Sequence, residues 1–100
     1  MQVTIQEQEG NMIALLEGRL DTAAASETEK AMSPLLDSKG RDVILDCTKL
    51  EYISSSGLRI FLSILKSAKS VGGRVYITGV SDEVSSVFVM TGFVNLFEFK

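Results

Sequence analysis

Apolar and polar residues change rhythm several times along this chain, and each change marks an element. Val3, Thr4 and Ile5 alternate, which puts Val3 and Ile5 on one face of a strand. A second β-rich run, MIALLEG at 12–18, follows EQEGN, whose Gly10-Asn11 pair is turn punctuation; the two runs are predicted to form a β-hairpin. Gly18 is expected to begin a break, GRLDT. From about Thr22 the spacing becomes three and four residues, through Ala24, Thr28, Ala31, Met32, Leu35 and Leu36, and predicts a helix. Asp21 is its plausible N-cap, with Ser26 and Glu29 as a competing capping box. Pro34 would remove a hydrogen bond inside that helix and crowd the preceding turn. A kink, or a short new turn capped by Ser33, is expected there, and DSKGR at 37–41 closes the element.

The second half repeats a strand-then-helix rhythm. Val43-Ile44-Leu45 is a near-continuous apolar run, short enough for a strand buried on both faces, and DCTKLEYI leads from it to three serines. Leu58, Phe61, Leu62, Leu65 and Ala68 then share one helix face, while Arg59, Ser63, Lys66 and Ser70 line the other. Gly72-Gly73 supplies the stop. RVYITGV at 74–80 reads as the next strand. Ser81 is expected to cap a third helix, with Val84, Val87, Phe88 and Thr91 on one face and Gly92 at its end; Leu96 to Phe99 alternates as a last strand. The order ββαβαβαβ predicts an α/β fold: a mixed sheet of four to five strands, opened by a hairpin and continued by parallel strands with right-handed helical crossovers. Each helix has one polar face, so the helices are expected to lie on the sheet with their outer sides in water.

Length and composition narrow the partners. One hundred residues make one domain, here 1–100, with no repeats, linkers or low-complexity stretches. At 45% apolar and 23% charged the chain is globular, and a net charge of −3 disfavours nucleic acid and anionic membrane as partners. There is one cysteine, Cys47, and no histidine. A single cysteine forms no internal disulfide, which suits a reducing compartment and a cytoplasmic location; in the apolar VILDC run it reads as a small buried hydrophobe. Without histidine there is no Ser-His or Cys-His pair, and neither a zinc or iron site nor any other cofactor is expected. No signal peptide is visible, and no apolar run approaches the roughly 20 residues that span a bilayer. No long exposed apolar stripe can be assigned, so a monomer is expected.

The stretch EYISSSGLRI, 51–60, carries the candidate chemistry. It falls between a strand and a helix. A first helical turn has unpaired N–H groups and partial positive charge, and a serine at the N-cap accepts from one of those donors. A phosphate there meets the same donors and the same dipole, so phosphorylation need not unfold the helix; it adds about two negative charges that a partner would feel. Gly57 removes bulk from the first turn, which would let another chain approach closely. Two readings of Ser54, Ser55 and Ser56 therefore stand side by side: a cap that satisfies loop backbone, and a modifiable site. A catalytic serine is disfavoured, because SSSGL lacks the glycine of a nucleophile elbow and no base is at hand. No GxxxxGK[ST] or GxGxxG phosphate loop occurs.

With these residues placed, the run from Val43 to Phe99 resembles the anti-sigma factor antagonists of the STAS domain family. The features shared are a strand ending in Asp46, the serine-glycine junction Ser54 to Gly57, Gly72-Gly73, and Thr91-Gly92-Phe93; upstream, Gly18, Leu20 and Asp21 match the family's G-x-L-D stretch. The resemblance covers essentially the whole chain, and its specificity lies in the ordered set. It implies the STAS fold and a non-enzymatic switch. In that family the unphosphorylated domain binds an anti-sigma factor that is also a serine kinase, freeing a sigma factor for transcription, and a serine phosphatase resets it. The family's D-S-[ST]-G falls on Ser54 to Gly57, which implies Ser55 as phosphoacceptor with Ser56 next, and a partner-binding surface of Asp21, Ser54, Ser56, Gly57 and Arg59. Ser54 departs from the family, which has an acid there. Arg59 reads either as a solvated charge or as a partner contact. STAS-like domains also serve as subunits of lipid-transport complexes or sensor scaffolds without phosphorylation, which is the alternative role.

Overall fold

A computed structural model describes residues 1–100. Strand β1 (Gln2–Gln8) turns into β2 (Asn11–Leu20) through Glu9 and Gly10, whose φ angles of 52° and 81° are both positive. That is the sense of turn whose twist matches the right-handed twist of the flanking strands. The hairpin is as expected, but its turn lies one residue earlier than Gly10-Asn11. β2 also does not break at Gly18. It runs to Leu20, and its pairing with the next strand slips between Leu15 and Glu17 and again between Gly18 and Arg19. Gly18, at φ 106°, absorbs that irregularity, so the strand bends instead of ending.

Helix α1 (Thr22–Met32) is capped by Asp21, whose Oδ1 accepts from the Ala24 N–H at 2.9 Å, so the Ser26–Glu29 alternative is not used. The helix stops before Pro34, which falls at the start of a 3-10 turn (Ser33–Asp37), where its missing N–H is no loss. Ser33 does not cap that turn; its hydroxyl donates back to the Lys30 carbonyl at the end of α1. Strand β3 (Val43–Ile53) takes in the whole of DCTKLEYI, which was expected to be a connection. Helix α2 (Ser55–Ser70), strand β4 (Val75–Thr78), helix α3 (Asp82–Thr91), a 3-10 turn (Phe93–Asn95) and the two-residue strand β5 (Glu98–Phe99) complete the chain. Ser81 caps α3 by accepting from Val84 N–H, and Gly92 ends it in the left-handed region at φ 78°.

The five strands form one sheet in sequential order, β1-β2 antiparallel and the rest parallel. Right-handed crossovers between successive neighbours put every helix on the same face. Burial follows: Ala14, Leu16, Val43, Leu45, Cys47, Val75 and Ile77 are buried, while their neighbours Ile13, Leu15, Ile44, Asp46, Tyr76 and Thr78 are only half-buried. The Val43–Leu45 run is thus covered on one face and not on both. α2 lies on the sheet and against α1, so Ile60 and Ile64 are buried as well as Leu58, Phe61, Leu65 and Ala68, and Leu62 is only partly covered. Burial, and then the neighbouring Asp46 carboxylate, push the Cys47 thiol up to about 12, so it stays protonated. No helix is long and apolar enough to cross a membrane.

Four phenylalanines close the core at the C-terminal side. Phe88 sits edge-to-face with Phe97 and Phe99 at centroid distances of 5.8 and 5.3 Å, and Phe61 lies 6.2 Å away. Phe88 is fully buried. Phe88→Ala is expected to lower unfolding free energy by about 3–5 kcal/mol, a large share of the roughly 5–15 kcal/mol typical of a domain. Urea denaturation followed by circular dichroism checks it.

Candidate functional site

The site begins in the pairing of two strands. In parallel register Leu20 lies opposite Ile53, and the Ser54 N–H donates to the Leu20 carbonyl at 2.8 Å. β2 and β3 therefore end together. The next residues, Asp21 and Ser54, adopt nearly the same extended backbone, with φ, ψ of −91°, 179° and −93°, 172°, and each caps the helix that follows. Ser54 Oγ accepts from the Gly57 N–H at 3.3 Å, and its carbonyl accepts from Leu58 N–H at 3.0 Å. Since β4 is parallel too, the capped starts of α1, α2 and α3 all lie at one end of the sheet.

This arrangement divides the three serines. Ser54 is buried and committed to the cap. Ser55 is the first residue of α2 and exposed, and the cap leaves its hydroxyl free for other chemistry. Ser56 is half-buried. The first turn of α2 carries no acidic side chain, whereas α3 has Asp82 and Glu83 there. An added anion at Ser55 would meet unpaired N–H groups and the positive end of the helix, with no carboxylate of that turn opposing it.

Gly57 does a different job from the one expected. It is buried, and a Cβ on it would come within 2.6 Å of Leu20 Cγ and 2.9 Å of Ile53 Cγ1. The close approach it permits is that of α2 onto the ends of β2 and β3, not of another chain. Ser54 and Gly57, both expected in a contact surface, are buried. Of the other candidate residues, Ser55 and Arg59 are exposed, and Ser56 and Asp21 partly exposed. Arg59 stands one turn along α2, in a cleft of about 240 Å³ between α1 and α2 that is lined also by Ser26, Glu29, Ser56 and Ser63. Sequence reasoning missed Leu20, whose carbonyl and side chain both position the junction; its place in the G-x-L-D stretch was the available signal.

Fold and junction together define a class: a one-sided α/β domain that presents a capped helix start with a free serine. The chain belongs to the STAS domain family, whose model matches residues 2–100. Within it, the chain is 34% identical over 97 residues to BtrV of Bordetella bronchiseptica, assigned as an anti-sigma factor antagonist, covering 97% of this chain and 84% of that protein. It is 32% identical over 79 residues to the anti-sigma-B factor antagonist of Staphylococcus aureus, covering 79% and 73%. The Bacillus cell fate determinant SpoIIAA, solved in its phosphorylated form, superposes with a TM-score of 0.72 at 19% identity over 99% of this chain and 91% of that one, and so shares the fold.

The cap assignment separates Ser54 from its neighbours by stability. Ser54→Ala is expected to cost about 1 kcal/mol, while Ser54→Asp, an equally good cap, and Ser55→Ala stay within about 0.5 kcal/mol of the parent. Equilibrium urea midpoints distinguish these outcomes.

Proposed function

We propose that this protein is an anti-sigma factor antagonist switched by phosphorylation of Ser55. The observation that carries the reading is the exposed Ser55 hydroxyl at the first position of α2, left out of the cap that holds Ser54. Its relatives' names support the class, and SpoIIAA supports the modification, since a protein of this fold has been solved phosphorylated. In the unmodified form, the surface around Ser55, Ser56, Arg59 and Asp21 binds an anti-sigma factor with serine kinase activity in the cytoplasm, and the sigma factor is released for transcription. A serine phosphatase resets the switch. The domain itself performs no catalysis; it is a substrate and a binding partner.

The physics of the switch is a change of charge on a surface that keeps its shape. A phosphate at Ser55 brings nearly two negative charges and three strong acceptors. Bound against the partner, these would have to be desolvated and would repel acidic groups there. The helix tolerates the phosphate, because its first-turn donors and dipole favour an anion. Ser56 is the next candidate, being half-buried and one position further into the helix.

Incubation with the cognate kinase and ATP, followed by tandem mass spectrometry, is expected to place phosphate on Ser55 and none on Ser55→Ala. Ser55→Asp is expected to bind the kinase at least about tenfold more weakly than the parent, a loss of about 1.4 kcal/mol. Modification of some other residue alone, or parental affinity in Ser55→Asp, would contradict the proposal.

A further inference from the structure

We infer that Arg59 is the built-in counter-ion of the phosphate on Ser55, closing an ion pair within α2 when the switch is modified. The inference rests on Ser55 being the phosphoacceptor and names what receives the phosphate. Ser55 and Arg59 are four apart in the same helix, the spacing that puts side chains on one face with Cβ atoms about 5–6 Å apart. Both are exposed. Helical side chains lean back toward the N-terminus, a direction that lets the Arg59 guanidinium reach the turn that carries Ser55; in the unmodified protein Arg59 lines the α1–α2 cleft beside Ser56.

Arg59 is also uncommitted. The salt bridges of the chain are Arg41 with Glu7 and Arg74 with Glu98, and Arg59 takes part in neither. Glu29 of α1 lines the same cleft but lies outside ion-pair distance, and Arg59 is the one cation there. Asp21, the cap of α1, and Asp82 and Glu83 at the start of α3 are the acids at this end of the sheet, and Arg19 at the end of β2 is stacked over the Tyr52 ring at 4.7 Å. The carboxylates would repel a phosphate, whereas the Arg59 guanidinium is an unpaired cation one turn along the same helix. Its planar fork matches a phosphate's oxygens in bidentate fashion, which a lysine would not.

The pair gives the switch a second action. In the unmodified protein Arg59 is free to donate to an acidic group of the partner. Once Ser55 is phosphorylated, the guanidinium turns inward to the phosphate, and the partner loses a donor as well as meeting an anion.

The test uses the full chain with phosphoserine installed at position 55 by genetic encoding, so that it does not depend on a kinase. Phosphorus NMR follows the second ionisation of the phosphate, ordinarily near pKa 6. In the parent it is expected roughly half a unit lower than in Arg59→Gln, with Arg59→Lys restoring part of the shift. The difference is expected to shrink as sodium chloride rises from about 50 mM to about 500 mM. Equal values in parent and Arg59→Gln at low salt would overturn the inference and leave the Ser55 switch intact. A kinase that modifies another residue would instead overturn the switch and leave this titration unchanged.

Discussion

The hydrogen bond from the Ser54 N–H to the Leu20 carbonyl, 2.8 Å long, is the constraint on which the junction depends. It ends β2 and β3 at the same level, so that two chain segments leave the sheet side by side in the same extended conformation. Each then begins a helix with its own capping side chain, Asp21 for α1 and Ser54 for α2. Gly57 completes the arrangement by letting the first turn of α2 rest directly on Leu20 and Ile53. A side chain there would meet both, and either α2 or the strand ends would have to move. The result is a helix start whose position is fixed from beneath, with Ser55 outermost. One residue earlier the serine is structural; at Ser55 it is available.

Much of this was legible because capping chemistry is local. Asp21 and Ser81 declare themselves by preceding apolar periodicity, and Gly92 by following it; all three act as expected. The hairpin was legible from alternation around a glycine-containing turn. What was hidden depends on neighbours far away in sequence. DCTKLEYI does not look like a strand, because the residues past Asp46 extend beyond the end of β4 and pair only with β2, and their polar members Thr48, Lys49 and Glu51 are exposed and break the alternation. Gly18 looks like an ending, yet inside a strand it takes up a slip in register. Gly57 could be recognised as a place for close approach, but which surface approaches it is a tertiary fact. The division between Ser54 and Ser55 follows the family's motif and is matched by the observed cap, whereas the modification of Ser55 is inferred from its exposure and the company the chain keeps.

The serine at 54, where the family has an acid, has a physical consequence. As N-caps, Asp and Ser are equivalent, so the junction loses nothing in stability. The difference is electrostatic: with serine, the start of α2 has no carboxylate of its own, and Asp21 across the Ser54–Leu20 bond is the cap-position acid that remains. A phosphate at Ser55, as proposed, would enter a turn with free donors, no carboxylate of its own and Arg59 one turn along the helix. Under the proposed switch, the departure would make the modified state easier to accommodate.

The central claim is that phosphate changes the charge of a junction whose framework stays put. Native-state hydrogen exchange at the Ser54 amide, measured with and without phosphate on Ser55, tests it directly. The account requires strong protection in both forms, equal to within about a factor of three. A loss of protection of about a hundredfold or more on phosphorylation would mean that the Ser54–Leu20 bond opens and that the switch works by melting the helix start, contradicting the account.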